Sequence, residues 1–280
     1  MQHREFFFEG MEGVQLYSQF WLPEESPYAI LVIIHGLGEH CGRYMNVVDH
    51  MVSNQIAVYG YDNRGHGKSP GQRGHIDSWL EYCVDLRNFL TMIKEHQSGC
   101  PIFLMGHSMG ALIILEFILS GAGKLAGAIL SGTPIEPVAV AKPHLIVLAQ
   151  ILSRVFPRFP INLNLDRDAL SRIPSVVKAY EEDPLVHSRV SVRWGTESLS
   201  ALNLVKMQVG NINIPILMIH GEADRLNLAK GAKKFFDQIQ YNDKEYIGYP
   251  DSYHEVYNDL DCEKMLSDLL NWIIRHIELQ

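Results

Sequence analysis

Gly106-His107-Ser108-Met109-Gly110 follows the spacing G-x-S-x-G. Where such a pentapeptide joins a strand to a helix, the chain turns so sharply that the serine is held in a strained conformation, its hydroxyl exposed above the sheet edge. The flanks suit that turn: the apolar run Ile102–Met105 precedes it and Ala111–Leu119 follows. Glycines at 106 and 110 remove side chains that would clash there, and the helix N-terminus favours developing negative charge. The chemistry suited to this arrangement is acyl transfer through a covalent serine adduct. The plainer alternative is an ordinary glycine-rich turn.

A serine hydroxyl is a weak nucleophile until a base takes its proton. Around this elbow the partners follow in chain order serine, acid, histidine. Among thirteen histidines, His254 is best placed, after the last strand in Tyr249-Pro250-Asp251-Ser252-Tyr253-His254 and before the C-terminal helical segment. His220 ends the preceding strand and reads as structural. His107 points away from the Ser108 hydroxyl, and His276 on the terminal helix reads as solvated. The expected acid is Asp224, in the loop just past the strand Ile214–Ile219, where a carboxylate can hold the imidazole tautomer and stabilise the imidazolium. Glu222 is its rival, and Asp251 is too near His254 in sequence. An oxyanion hole needs two backbone N–H donors. Met109 is expected to supply one. Leu37, in the glycine-bearing loop His35-Gly36-Leu37-Gly38-Glu39-His40, is expected to supply the other. This chemistry needs no cofactor and no metal, and Cys41, Cys83, Cys100 and Cys262 lack metal-site spacing. They read as free thiols of a reducing compartment.

These groups must be positioned by strands. Short apolar runs without alternation fit strands covered on both faces: Ile30–Ile34, Ile56–Tyr61, Pro101–Met105, Ala126–Leu130, Ile214–Ile219 and Glu245–Tyr249. Glu5–Glu9 and Val14–Leu22 read as an opening strand pair, with helical patterns between strands such as Trp79–Glu95 and Gly110–Leu119. The fold class is therefore α/β: a mostly parallel eight-stranded sheet flanked by helices. The alternation breaks between about Thr133 and Gly210, where seven prolines fall and no strand is convincing. This predicts a core of 1–133 and 211–280, with 134–210 a helical cap inserted into it. The loop Asp62–Ser69 lacks the spacing of a phosphate-binding loop and reads as structural.

The bulk numbers agree. With 280 residues, 47% hydrophobic and 20% charged, the chain can bury a large core. A formal net charge of -8 argues against a nucleic-acid partner. No apolar stretch reaches the roughly 18 residues that span a bilayer, and Met1–Gly10 does not resemble a secretion signal. The expectation is a cytoplasmic protein with peripheral contact at membranes.

The whole set of motifs resembles the monoacylglycerol lipase and lysophospholipase-like family of the α/β-hydrolase superfamily. The matching pieces are His35–His40 with Arg43-Tyr44, Asp62–Ser69, Gly106–Gly110, Glu182–Val186, Gly221–Arg225 and Tyr253-His254-Glu255. They span nearly the whole chain in order. The resemblance implies Ser108, Asp224 and His254 as the triad and Leu37 and Met109 as oxyanion donors. It places Glu39 and Arg43 near the polar head of the substrate. It implies hydrolysis of a lipid ester with one acyl chain, monoacylglycerol first, with a lysophospholipase or general carboxylesterase as alternative. The chain departs from vertebrate members at Tyr257, where they carry a histidine.

The cap favours a lipid-like substrate. His144–Leu152 is more apolar than a solvated helix requires, so Leu145, Leu148 and Ile151 are expected to wall an acyl channel and to offer a transient contact with a membrane or micelle. A helix buried inside the cap is the alternative. Dehalogenases and epoxide hydrolases of similar build use Asp where this chain has Ser108. An aminopeptidase needs an acidic site for the substrate amine, and none stands out.

Overall fold

The computed structural model describes residues 1–97, 99–121, 123–138, 143–163 and 165–278. Strands β1 (Gln2–Glu9), β2 (Gln15–Leu22), β3 (Ala29–Ile34) and β4 (Ile56–Tyr61) open the chain, with helix α1 (Met45–Ser53) between the last two. Helix α2 (Leu80–His96), β5 (Ile102–His107), α3 (Met109–Leu119) and β6 (Gly127–Ser131) follow. Next come α4 (Pro143–Val155), β7 (Pro160–Asn162), α5 (Pro174–Glu182), β8 (Arg189–Ser191) and α6 (Val192–Met207). The chain closes with β9 (Ile216–Gly221), α7 (Ala229–Gln238), β10 (Lys244–Tyr249) and α8 (Cys262–Glu278).

Eight strands form one sheet in the order β1-β2-β4-β3-β5-β6-β9-β10, and β2 is its single antiparallel member against the parallel block. This is the expected mostly parallel eight-stranded sheet flanked by helices. Its central strands are apolar throughout because helices cover both faces. In β3, Ile30, Val32 and Ile34 enter one core with α2 and α3, while Leu31 and Ile33 enter the other with α1 and α8. The helices obey their own period: α2 buries Tyr82, Leu86, Phe89 and Ile93 on one stripe. Each parallel strand therefore ends at one edge of the sheet, where ligands of such folds bind.

Between β6 and β9 lies the stretch expected to be wholly helical. It also holds a separate two-stranded antiparallel sheet, in which Ile161 pairs with Val190. Three-residue strands, one beginning at a proline, leave no alternation to detect, and their pairing depends on chain closure over the intervening segment. The stretch is not independent of the core, because Ala201, Leu202 and Val205 of α6 join the cluster around α3. Residues 139–142 of the expected cap lie outside the described residues. Among the described residues no helix is long and apolar enough to cross a membrane.

Candidate active site

Ser108 occupies the turn between β5 and α3 with φ 50° and ψ −115°. Few non-glycine residues hold a positive φ, and here neighbours enforce it. A β-carbon at Gly106 would run into the Gly110 backbone, and one at Gly110 would overlap the Ile34 carbonyl. Only glycines let the elbow seat itself against β3. The Ser108 hydroxyl accepts one hydrogen bond, from Asn227 Nδ2 at 3.4 Å.

The loops after β9 and β10 bring Asp224 and His254 together. His254 Nδ1 lies 2.7 Å from Asp224 Oδ2, and both side chains are buried. Asp224 Oδ1 accepts from the backbone N–H groups of Leu226 and Asn227 at 2.8 and 3.0 Å. The carboxylate therefore shapes its own turn while gripping the imidazole. Burial would raise the Asp224 pKa, but the charge and hydrogen bonds of His254 and His220 outweigh it and drive the value far below the usual range. In His254 burial opposes the charge, yet the Asp224 carboxylate, with Glu255 and Glu39 behind, lifts the ring above its ordinary 6.5. Glu222 is exposed, its carboxylate packed toward Gly248 rather than His254.

Ser108, His254, Leu37 and Met109 all border one cavity of about 530 Å³. No hydrogen bond joins Ser108 to His254 among the described residues; such catalytic contacts tighten as substrate binds. The backbone N–H groups of Leu37 and Met109 likewise have no acceptor among the described residues. Glu39 fixes the loop that carries Leu37: its Oε1 accepts from Gly36 N at 2.6 Å and from the Tyr44 hydroxyl at 2.7 Å. Its Oε2 accepts from Arg43 at 2.7 Å. Arg43 also makes a bidentate pair with Glu255 at 2.7 and 2.8 Å and lies over the Tyr180 ring. Burial pulls the Arg43 guanidinium downward, but the two carboxylates override it and raise its pKa. The expected head-group contacts thus become a buried network: Glu39 borders the cavity with both oxygens engaged, and Arg43 stands behind it.

Other expectations are corrected. Leu145, Leu148 and Ile151 do not wall the cavity; they are among the most exposed apolar side chains of the chain. The residues of α4 that reach the cavity are Ile146 and Ala149. An almost uniformly apolar helix gives no phase, so its inward stripe could not be picked from sequence. His276 is buried, bonded to the Trp272 carbonyl and to Asp243, rather than solvated. His107 Nδ1 lies 3.4 Å from Ser131 Oγ. The His107 ring lies between those of His254 and Tyr257, tilted to the first and edge-on to the second. His220 is fully buried and bonded to the Asn227 carbonyl at 2.8 Å. The loop Asp62–Ser69 is tied to itself and to Cys41: Asp62 accepts from Lys68 N and Cys41 N, and Ser69 Oγ donates to the Asp62 carbonyl.

Two neighbours of the site, Asn227 and Glu255, are not among the expected site residues. Asn227 bridges the Asp224 turn and Ser108, donating also to Gly132 O at 2.8 Å; only its place three residues after Asp224 hints at it. Glu255 meets Arg43 across 212 residues of sequence, a pairing that only the fold creates.

Fold and site together define an α/β-hydrolase of the serine ester hydrolase class. The chain belongs to the family described as serine aminopeptidase, S33, which it matches over residues 25–261. It is 32% identical to a monoacylglycerol lipase of Mycolicibacterium smegmatis over 96% of each chain. It is 30% identical to the monoglyceride lipase of Rattus norvegicus, covering 95% of this chain and 89% of that one. Among solved structures, the monoacylglycerol lipase of Paleococcus ferrophilus superposes with a TM-score of 0.84 at 31% identity, covering 93% of this chain and 99% of that one.

Proposed function

We propose that the ester this chain cleaves is a monoacylglycerol, released as fatty acid and glycerol, with Ser108, His254 and Asp224 as the triad. The carrying observation is an apolar cavity that opens onto Ser108 and is lined by Leu112, Ile146, Leu199 and Leu202. One such cavity suits one acyl chain. Ser108 Oγ attacks the ester carbonyl as His254 Nε2 takes its proton, with Asp224 holding Nδ1. The N–H groups of Leu37 and Met109 stabilise the oxyanion. The imidazolium then gives its proton to the departing glycerol oxygen. Water, deprotonated by the same ring, attacks the acyl-enzyme and frees the acid and Ser108.

Lysophospholipids and simple esters are the alternatives, since a fold alone does not separate them. An aminopeptidase is disfavoured: Glu39 and Glu255 share Arg43 as ion-pair partner, and Asp166 on the cavity wall pairs with Arg225 at 3.5 Å, so each of these carboxylates is already engaged by an arginine. The test is hydrolysis of monoacylglycerols, diacylglycerols, lysophospholipids and aryl esters by the wild type and by Ser108→Ala. Monoacylglycerols should give the highest kcat/KM and diacylglycerols a low one, and Ser108→Ala should lose roughly 10³-fold or more in kcat. Near-normal turnover in that variant, or a preference for acetyl esters, would overturn the reading.

The outer face of α4 supports a second proposal, transient docking on a membrane or micelle. Leu145, Val147, Leu148, Ile151, Val155 and Phe156 are all exposed on one apolar surface of the segment over the cavity.

A further inference from the structure

We propose that Gly195 sets the acyl-chain length this enzyme accepts, by leaving open the part of the cavity its side chain would occupy. The inference rests on the reading of the cavity as an acyl pocket.

Gly195 is the fourth residue of α6, past the cap that Ser191 makes to Trp194 N. Glycine is a poor helix former, so its presence there calls for a reason. The usual ones do not apply. Its φ lies outside the left-handed region that favours glycine, and a β-carbon built on it meets no atom within 4 Å, so neither backbone strain nor close packing demands it. What it does border is the cavity. Gly195, Ser198, Leu199 and Leu202 all line it, at the spacing of a single helical stripe. The facing wall is α4, where Ala149 is again small. The two helices are pinned together: Ser153 Oγ and Thr196 Oγ1 lie 2.9 Å apart, and Arg193 donates to the Ser153 carbonyl at 2.9 Å. A wall fixed this way cannot retreat from a larger side chain at 195, so added carbons there displace acyl carbons.

The experiment measures kcat/KM across monoacylglycerols from acetyl to palmitoyl for wild type, Gly195→Ala and Gly195→Leu, with melting temperatures for all three. In wild type kcat/KM should climb about four-fold per methylene until the pocket is full. Gly195→Ala should lower the quotient of long-chain over acetyl kcat/KM by about four-fold, and Gly195→Leu by roughly 10²-fold, with the optimum moving to shorter chains. Helix propensity should hold or raise the melting temperature of the alanine variant, which keeps the test valid if the leucine variant folds poorly. A wild type that climbs with length while both variants keep its quotient would overturn the role of Gly195 alone. A wild type that prefers acetyl esters would overturn the acyl-pocket reading and this inference with it.

Discussion

The imidazole of His107 lies against that of His254, ring centroids 4.4 Å apart and planes tilted by 56°. Burial, aided by the His254 charge, pushes the His107 pKa down to about 3, so its ring is neutral near pH 7. His254 thus faces an uncharged neighbour on one side and the Asp224 carboxylate on the other, and it titrates above 6.5. In the proposed mechanism only the neutral ring can accept the Ser108 proton. The kcat/KM profile should therefore fall toward acid, ten-fold per pH unit, through a midpoint above 6.5. A pH–rate profile with its acid limb at or below pH 6 would contradict the coupling to Asp224.

Asp224 and Glu222 differ in place: Asp224 is buried against His254, and Glu222 is exposed. Asp224→Asn should cut kcat by about 10³- to 10⁴-fold, because an amide cannot both accept from Leu226 and Asn227 N–H and hold the His254 tautomer. Glu222→Gln, on an exposed side chain, should change kcat by less than about two-fold. Steady-state kinetics on one short-chain ester decides it; the opposite ranking would mean that the acid is Glu222.

Arg43 is the single cation between two buried carboxylates, Glu39 and Glu255. Its removal leaves both uncompensated. Arg43→Ala should therefore destabilise the fold by about 3–5 kcal/mol, measured by denaturant unfolding. Because Glu39 also holds the Gly36 N–H, the loop that carries Leu37, the proposed oxyanion donor, should loosen and kcat should fall in whatever fraction remains folded. A loss below about 1 kcal/mol, the worth of a surface pair, would show that the network is not tight.

Glu116 on α3 carries a different signature. Burial, then the nearby Glu197 charge, raises its pKa from 4.5 to about 7, and its Oε2 has no partner among the described residues. The folded state therefore binds a proton more tightly than the unfolded chain. This contribution to stability is full below pH 4.5 and is lost as pH rises through 7. Glu116→Gln should remove that slope and be more stable than wild type at pH 8. Thermal melts at pH 5 and pH 8 check it, and an unchanged difference between them would refute the shift.

Sequence reading reached what local pattern encodes. The elbow, its strand and helix, and the order of strand ends are legible because each depends on a few adjacent residues. Asp224 and His254 follow from topology once the strands are assigned. What depends on rotation about a helix axis is not legible: nothing in His144–Leu152 distinguishes Ile146 from Leu145, and the structure turns the expected face outward. The Arg43–Glu255 pair and the β7–β8 sheet depend on distant segments meeting, so neither leaves a local trace.

That outward face makes the last prediction. Ile151 is 58% exposed, whereas Ala149, two residues earlier, borders the cavity. A charge at each position should fail differently. Ile151→Asp removes an apolar side chain from the proposed docking surface, worth about 1.5–3 kcal/mol if fully buried in lipid, so vesicle partitioning should weaken by roughly ten-fold or more. Hydrolysis of a dissolved short-chain ester should stay near the wild-type rate. Ala149→Asp places a charge against the acyl chain, where it cannot be solvated, so long-chain substrates should suffer even as monomers below micelle formation. Vesicle sedimentation for both variants, run beside kinetics on monomeric and aggregated substrate, separates the two surfaces. If Ile151→Asp impairs monomeric long-chain substrates while binding vesicles as well as wild type, the outer face of α4 does not meet lipid and the helix turns inward in solution.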